Sequence, residues 1–383
     1  MIFNATLYAA LFIFIAGTVF RIGRWFVRSV GLGDPDVTAA QRIASGVRAT
    51  LATIFSVRLI GLLKVLILDG LLQIRILRDK GDILVWVMHL FIFIGFAYLL
   101  LFHALGSIFA IAVDPDYEST LNPYMFLRNL GGGLVIAGLI LAVIRRTITM
   151  KRRIKTTGMD VAIIVILAVI IISGFLLESL KITSQAEFAD MVEEYSDIDD
   201  PADRLALESY WVAKYGLVSP DVVLPIASLT LSKGLALHEE SCIDCHSPPR
   251  SAFISYPVSR LIKPLALGLD RIEARTVIRY LHFLACFCGL ALLAFSKMFH
   301  MISTPVSLVI AEMTKPGQDH AAIANRQAIE LDGCSHGGLC HEQCPVRQKR
   351  LERIAQAIPY DPMLAYAGEK SAANLGSREV SEK

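Results

Sequence analysis

No lysine or arginine precedes the first apolar run, which extends from about Leu7 to Phe20 and ends in Arg21, Arg24 and Arg28. A secretory signal peptide carries a basic region ahead of its apolar stretch, so this run is expected to be a retained helix with its N-terminus outside. Cysteine is sparse: seven residues in 383, in three unrelated contexts, which excludes a disulfide framework. Internal repeats and interrupted apolar segments, the marks of transporter folds, are also missing from the pattern. The net charge of +2 has no excess of either sign to name a partner, and nucleic acid is not an expected one.

What the chain does have is apolar length. Hydrophobic residues make up 54% of it and mean hydropathy is +0.55, more apolar than a soluble domain of this size. The 37 Lys+Arg and 35 Asp+Glu residues cluster between long apolar runs, a segregation typical of polytopic membrane proteins. Five segments are long and apolar enough to span a bilayer: about 4–21, 83–109, 129–146, 159–180 and 277–302. The first linker, Arg21 to Asp82, is basic, and the third reads RRTITMKRRIK. The second carries Asp114, Asp116 and Glu118, and the fourth contains MVEEYSDIDDPAD. The positive-inside rule then puts the first and third linkers and the C-terminal tail in the cytoplasm, and the second and fourth linkers in the periplasm of a cytoplasmic (inner) membrane. Leu51 to Leu72 is apolar but interrupted by Arg58, Lys64 and Asp69. It is expected to be an amphipathic helix on the cytoplasmic face.

The domain layout follows: helices I–IV over 1–180 with the amphipathic segment near 50–74, a periplasmic insert over 181–276, helix V over 277–304, and a cytoplasmic tail over 305–383. Four of the nine histidines lie in the spans: His89 and His103 in the second, His282 and His300 in the fifth. An ionisable side chain inside a membrane is costly and marks function. A neutral histidine bonded to a neighbouring helix is the bland alternative for any one of them. The spacings of fourteen and eighteen residues are close to four turns and equal to five, so each pair would share a helix face, about 21 and about 27 Å apart. The two helices run in opposite directions. His89 is therefore expected to meet His300 near the cytoplasmic side, and His103 to meet His282 near the periplasmic side. Two bis-imidazole sites in a bundle suit two haems b.

Cys242-Ile-Asp-Cys245-His246 is a CxxCH motif, which attaches a haem c through two thioethers with the histidine as axial ligand. A redox CxxC is the alternative; the periplasmic position of the insert favours haem. His238 and Met191 are the candidates for a second axial ligand. In the tail, Cys334, Cys340 and Cys344-Pro345 enclose His336 and His341. The CxxxCP ending suits an iron–sulfur cluster, three Cys with one His suit zinc, and free thiols in a reduced cytoplasm need no metal. Cys286 and Cys288, inside the fifth span, read as packing residues. The expected fold class is an all-α membrane protein: a five-transmembrane-helix di-haem b bundle with a periplasmic haem c insert and a cytoplasmic C-terminal tail.

On FIAGTVFRIGRW in the first span, LRNLGGG in the third, TTGMD opening the fourth and RYLHFLACFCGLALLAFSKMFHMISTP in the fifth, the chain resembles the cytochrome b (gamma) subunit family of respiratory nitrate reductase. GLLKVLILDGLLQIRILRDKGDILVWVMHLFIFIGF is closer to the branch associated with heterodisulfide reductases and dissimilatory sulfate reduction. The second-span spacing, the long fourth linker and the cysteine tail depart from the nitrate reductase form, so nitrate is not expected as terminal substrate. The resemblance implies haem ligation by the fifth-span histidines. It also implies a quinone, expected to be menaquinone, near the periplasmic-side haem, with Arg128 either beside its carbonyl or acting as an interfacial anchor. The implied partners are a cytoplasmic iron–sulfur subunit of heterodisulfide-reductase type and a periplasmic multihaem cytochrome c, with the lipid bilayer around the spans. Two alternatives stand beside this electron-transfer reading. One is the haem b anchor of a hydrogenase or formate dehydrogenase; the other is a non-redox haem-binding membrane protein.

Overall fold

The computed structural model describes residues 2–28, 37–80, 83–149, 156–313 and 320–332, and among them every regular element is helical, with no strand. The described residues form two compact units. The larger takes the chain up to Thr18 and most of it from Leu71 to Met298; the smaller takes Val19 to Gly70 and the described residues from Phe299 onward.

Five helical stretches are long and apolar enough to cross a membrane: Ile2–Val27, Ile83–Ala104, Tyr124–Ile148, Gly158–Thr183 and Ala274–Leu293. At 1.5 Å per residue the shortest, of 20 residues, reaches about 30 Å, the thickness of a hydrocarbon core. Their apolar side chains are not consumed by packing: Phe12, Ile94, Val161, Val165, Ile172 and Leu284 are all exposed. Apolar surface that a soluble fold would bury is here turned outward, as lipid contact requires.

The first helix, α1, is Ile2–Val27. In the smaller unit, α2 (Ala39–Ile54) starts on a capping box between Thr38 and Gln41. The chain then bends by 99° into α3 (Arg58–Val65) and a π-helical turn, Leu66–Leu71. The single amphipathic helix expected over Leu51–Leu72 is therefore two pieces. Together they are apolar enough for one broken span, giving up to six. Arg42 of α2 is buried because its guanidinium meets the carbonyls of Trp25, Arg28 and Ala324 and the Asn325 side chain.

In the larger unit, α4 (Ile74–Lys80) and α5 (Ile83–Leu99) lead into a π-helical turn, Leu100–Ala104, and then α6 (Gly106–Val113). A π turn takes more residues than an α turn, so the fourteen residues from His89 to His103 are not four regular turns, and that spacing does not put the pair on one face. Helix α7 (Tyr124–Ile144) lies against α5 where Gly95 and Gly131 meet; a Cβ at Gly95 would strike the Gly131 carbonyl. Helix α8 (Gly158–Thr183) begins on a capping box between Thr157 and Asp160. The insert is helical: α9 (Gln185–Tyr195), α10 (Pro201–Lys214), α11 (Ser228–Ser241), α12 (Ser255–Ile262) and α13 (Ala266–Arg271).

The fifth span differs most from expectation. Helix α14 (Ala274–Leu293) stops, a turn and a 3-10 segment (Lys297–Phe299) follow, and α15 starts at His300 and runs to Met313. His282 and His300 thus do not share one continuous helix. The physical cause is local: Lys297 reaches the Asp160 carboxylate at 3.0 Å, and Phe299 is buried with Trp25, Ala328 and Ile329. The last described element, α16 (His320–Asp332), belongs to that same core.

Candidate functional site

Two of the four membrane histidines, His103 and His282, lie within electrostatic range of each other in the larger unit. His282, on α14, has its Nδ1 3.0 Å from the Ile170 carbonyl and 3.1 Å from Ser173 Oγ on α8. A carbonyl only accepts, so Nδ1 carries the proton and donates; the tautomer is assigned from these partners. The lone pair is then on Nε2, at the other end of the ring. Gly174 makes the approach possible, since a Cβ there would lie 3.2 Å from His282 Cε1. The second imidazole, His103, is exposed within its π turn and lies in charge–charge range of His282, Arg128 and Glu178. Metal-bound histidines characteristically donate their remaining N–H to a carbonyl or carboxylate, so the residues present fit a haem iron here.

Around this pair sits a buried polar network. Glu178 accepts from Arg128 Nη2, from Asn129 Nδ2 at 2.9 Å and from Ser255 Oγ at 2.6 Å, while Arg128 Nη1 donates to the Ser119 carbonyl at 3.0 Å. Asn129 Oδ1 also accepts from the backbone N–H groups of Ile254 and Ser255, both at 3.1 Å, tying the start of α12 to the spans. The sequence nominated Arg128 but not Glu178 or Asn129. Both lie in apolar surroundings, and that was the available signal.

His89 is on α5, with Nδ1 2.7 Å from Gln73 Oε1. His300 heads α15 in the smaller unit, half-buried. Cys286 Sγ lies 3.9 Å from His282 Nε2, and Cys288 is exposed.

The CxxCH motif forms the turn that ends α11. Cys242 N–H donates to the His238 carbonyl at 2.9 Å, and His246 N–H to the Cys242 carbonyl at 3.0 Å. This helical turn puts Cys242, Cys245 and His246 at positions i, i+3 and i+4, on one side. Helices α10 and α11 touch at Gly234, where a Cβ would strike the Ala206 carbonyl. That contact buries Cys242 among Phe188, Val192, Ile198, Leu207 and Leu217, while Cys245 is exposed. Burial pushes the Cys242 thiol up to about 11, helped by the neighbouring Cys245, and burial raises Cys245 as well. A redox CxxC needs a thiol shifted the other way, so this environment disfavours that alternative. Burial and the neighbouring His238 hold His246 down to about 4, leaving it neutral, as a metal ligand must be.

Trp211 packs edge-on against the His246 ring at 5.3 Å, and its indole Nε1 is buried with no hydrogen-bond partner among the described residues. An orphaned donor beside the motif histidine fits an acidic cofactor edge such as a haem propionate. Of the two axial candidates, His238 has its Nε2 2.8 Å from the Tyr215 hydroxyl, and Met191 packs on the core that contains Cys242. The motif turn is also bonded to the linker that follows His103. Ser247 N–H donates to the Thr120 carbonyl at 3.1 Å and Thr120 Oγ1 to the Cys245 carbonyl, while the Asn122 backbone and side chain reach Ser247 Oγ at 2.9 Å and Ser251 Oγ at 2.7 Å.

Cys334, Cys340 and Cys344, with the rest of the tail beyond Asp332, lie outside the described residues. Among the described residues no group of three or more His, Cys, Asp or Glu is arranged to hold a metal ion directly.

The fold and these sites define an all-helical, multi-pass membrane protein. No family model matches the sequence, and no solved structure matches it. The chain is similar to the E subunit of the dihydromethanophenazine:CoB--CoM heterodisulfide reductase of Methanosarcina thermophila, 32% identical over 128 residues, covering 31% of this chain and 47% of that protein. It is also similar to the corresponding protein of the same name from Methanosarcina barkeri (strain Fusaro), 31% identical over 128 residues with the same coverage. The chain thus spans about half the length of the curated relatives it matches.

Proposed function

We propose that this chain is the membrane cytochrome subunit of a respiratory complex, passing electrons between a quinone pool, two haems b, a periplasmic haem c and a cytoplasmic iron–sulfur partner. The observation that carries the proposal is the His282 ring, whose Nδ1 is engaged by the Ile170 carbonyl, within electrostatic range of His103 from another apolar span. The similarity to heterodisulfide reductase subunits, proteins named for a redox reaction, supports the same class. Haem, when bound, supplies reversible one-electron chemistry.

The chain's own residues set where that chemistry happens. His103 and His282 are the proposed ligands of one haem b. His89 is a proposed ligand of the other, with His300 the partner that the sequence pattern nominates. Cys242 and Cys245 would form the thioethers of haem c and His246 its axial bond. Arg128, with two of its five N–H groups held by Ser119 and Glu178, has others to offer a quinone carbonyl, menaquinone by preference. Cys334, Cys340 and Cys344 are proposed to hold an iron–sulfur cluster or a zinc ion facing the cytoplasmic partner. The insert would meet a periplasmic multihaem cytochrome c.

The test is a pyridine haemochrome spectrum of the purified protein together with a haem stain of the denatured band. Two haems b for each covalent haem c are expected. His103→Ala and His282→Ala should each remove the same single haem b, and Cys242→Ala should weaken or abolish the stained band. Unchanged haem content in both histidine variants would overturn the pairing.

A further inference from the structure

Gln73 occupies a backbone conformation that its own residue type does not favour. Its φ is 53°, in the left-handed region, where glycine is the low-cost choice and a long side chain is uncommon. It is also 7% exposed, so an amide has been brought out of water at a strained position. Strain of this kind persists only where the surroundings hold it in place.

The surroundings do hold it. Gln73 stands at the corner between the π turn Leu66–Leu71 and α4, and its carbonyl accepts from Ile76 N–H at 3.0 Å. Helix α5 bonds this corner twice. Trp86 Nε1 donates to the Leu72 carbonyl at 2.8 Å, and His89, one turn further on, has Nδ1 2.7 Å from Gln73 Oε1. With Oε1 accepting, His89 Nδ1 is the protonated nitrogen and the Nε2 lone pair points away from Gln73. His282 has the same arrangement with a backbone carbonyl as its acceptor.

We infer that Gln73 is a positioning residue for His89: it fixes the imidazole as the Nδ1–H tautomer and tunes how strongly Nε2 donates to a haem iron. The inference rests on the proposed ligation of a haem b by His89. An acceptor on Nδ1–H makes the imidazole a stronger donor, which favours ferric over ferrous iron and lowers the potential. Removing it acts in the opposite direction, and replacing the amide by a carboxylate strengthens it.

The experiment uses the purified full chain carrying Gln73→Glu, Gln73→Gly or, as a control, His89→Ala. Haem content, a potentiometric titration of the haems b and the low-spin electron paramagnetic resonance signals are measured together. Gln73→Gly relieves the backbone while removing the amide, so it separates the side chain's role from that of the turn. The expected result is a full haem complement in the Glu variant and a potential order Gly > Gln > Glu for one haem b only. A tenfold change in ferric-over-ferrous preference corresponds to about 59 mV for a one-electron couple, and a change of at least that size is expected between Gly and Glu. His89→Ala should lose that same haem.

If His89→Ala loses a haem b while the potentials and spectra of both Gln73 variants match the parent, the positioning role is overturned and the ligation stands. Loss of the haem from the Glu variant as well would also overturn it, because the site would then depend on the amide's packing. Retention of both haems b in His89→Ala would overturn the ligation reading itself.

Discussion

An imidazole that is to hold iron must present one nitrogen and protect the other, and at His282 this is done by a carbonyl that the sequence could not point to. The Ile170 oxygen is available because the chain at Gly174 lets the ring come close to α8. A Cβ at Gly174 would already lie 3.2 Å from Cε1, so the branched side chain of Gly174→Val has to displace the ring. That variant is expected to lose about 1–3 kcal/mol to overpacking and to lose one haem b while keeping haem c. Thermal unfolding and the haemochrome ratio read the two effects separately. Ser173→Ala, by contrast, leaves the Ile170 carbonyl in place and should keep both haems, at a cost of about 0.5–1.5 kcal/mol. Retention of both haems b in Gly174→Val would show that the ring does not need this seat. The candidate ligands were legible at this scale because histidine is rare in apolar runs and CxxCH is specific. Gln73, Ile170 and Gly174 were not, since each acts through where its backbone lies.

Among the elements, the long apolar runs were legible because about twenty apolar residues in a row have few other uses. Their interruptions were not. The run through His282 and His300 reads as continuous, yet α14 ends at Leu293 because Lys297 finds Asp160 and Phe299 finds a different core. Similarly, nothing in LLFHA signals that Leu100–Ala104 winds as a π turn, a form often found at functional sites. The insert was legible only as a polar linker with a motif; its helix pairing depends on one glycine. Gly234→Leu pushes α10 and α11 apart at the Ala206 carbonyl and so uncovers Cys242 one helix end away. The expected outcome is faster proteolysis of the insert in the apoprotein and lower yield of covalently attached haem. The pyridine haemochrome ratio should fall on the c side alone. An unchanged c content would mean that attachment precedes, or is indifferent to, the α10–α11 contact.

For the molecule as a whole, the question is whether the insert behaves as a tethered domain or as part of the bundle. Charge patterning alone suggested a periplasmic insert over 181–276, long enough to hold a cofactor. Within the larger unit the insert is bonded to the spans and to the linker before Tyr124. Asn129 and Glu178 hold the start of α12 from the spans, and Thr120 and Asn122 hold the CxxCH turn. Thr120 and Asn122 belong to the linker that descends to His103, where the Tyr117 hydroxyl donates to the Phe102 carbonyl. The motif is thus joined by hydrogen bonds, through Thr120 and Tyr117 of this linker, to the carbonyl of Phe102 next to His103. Replacing both side chains, Thr120→Ala with Asn122→Ala, removes two side-chain hydrogen bonds, each worth about 0.5–1.5 kcal/mol net. Haem attachment should survive, since Cys242 stays in its core. What should change is the rate at which an electron placed on haem c by photoreduction equilibrates with the haems b: slower and more viscosity-dependent in the double variant, fast and viscosity-independent in the parent. A parent rate that already falls with viscosity would mean that the insert swings despite these bonds.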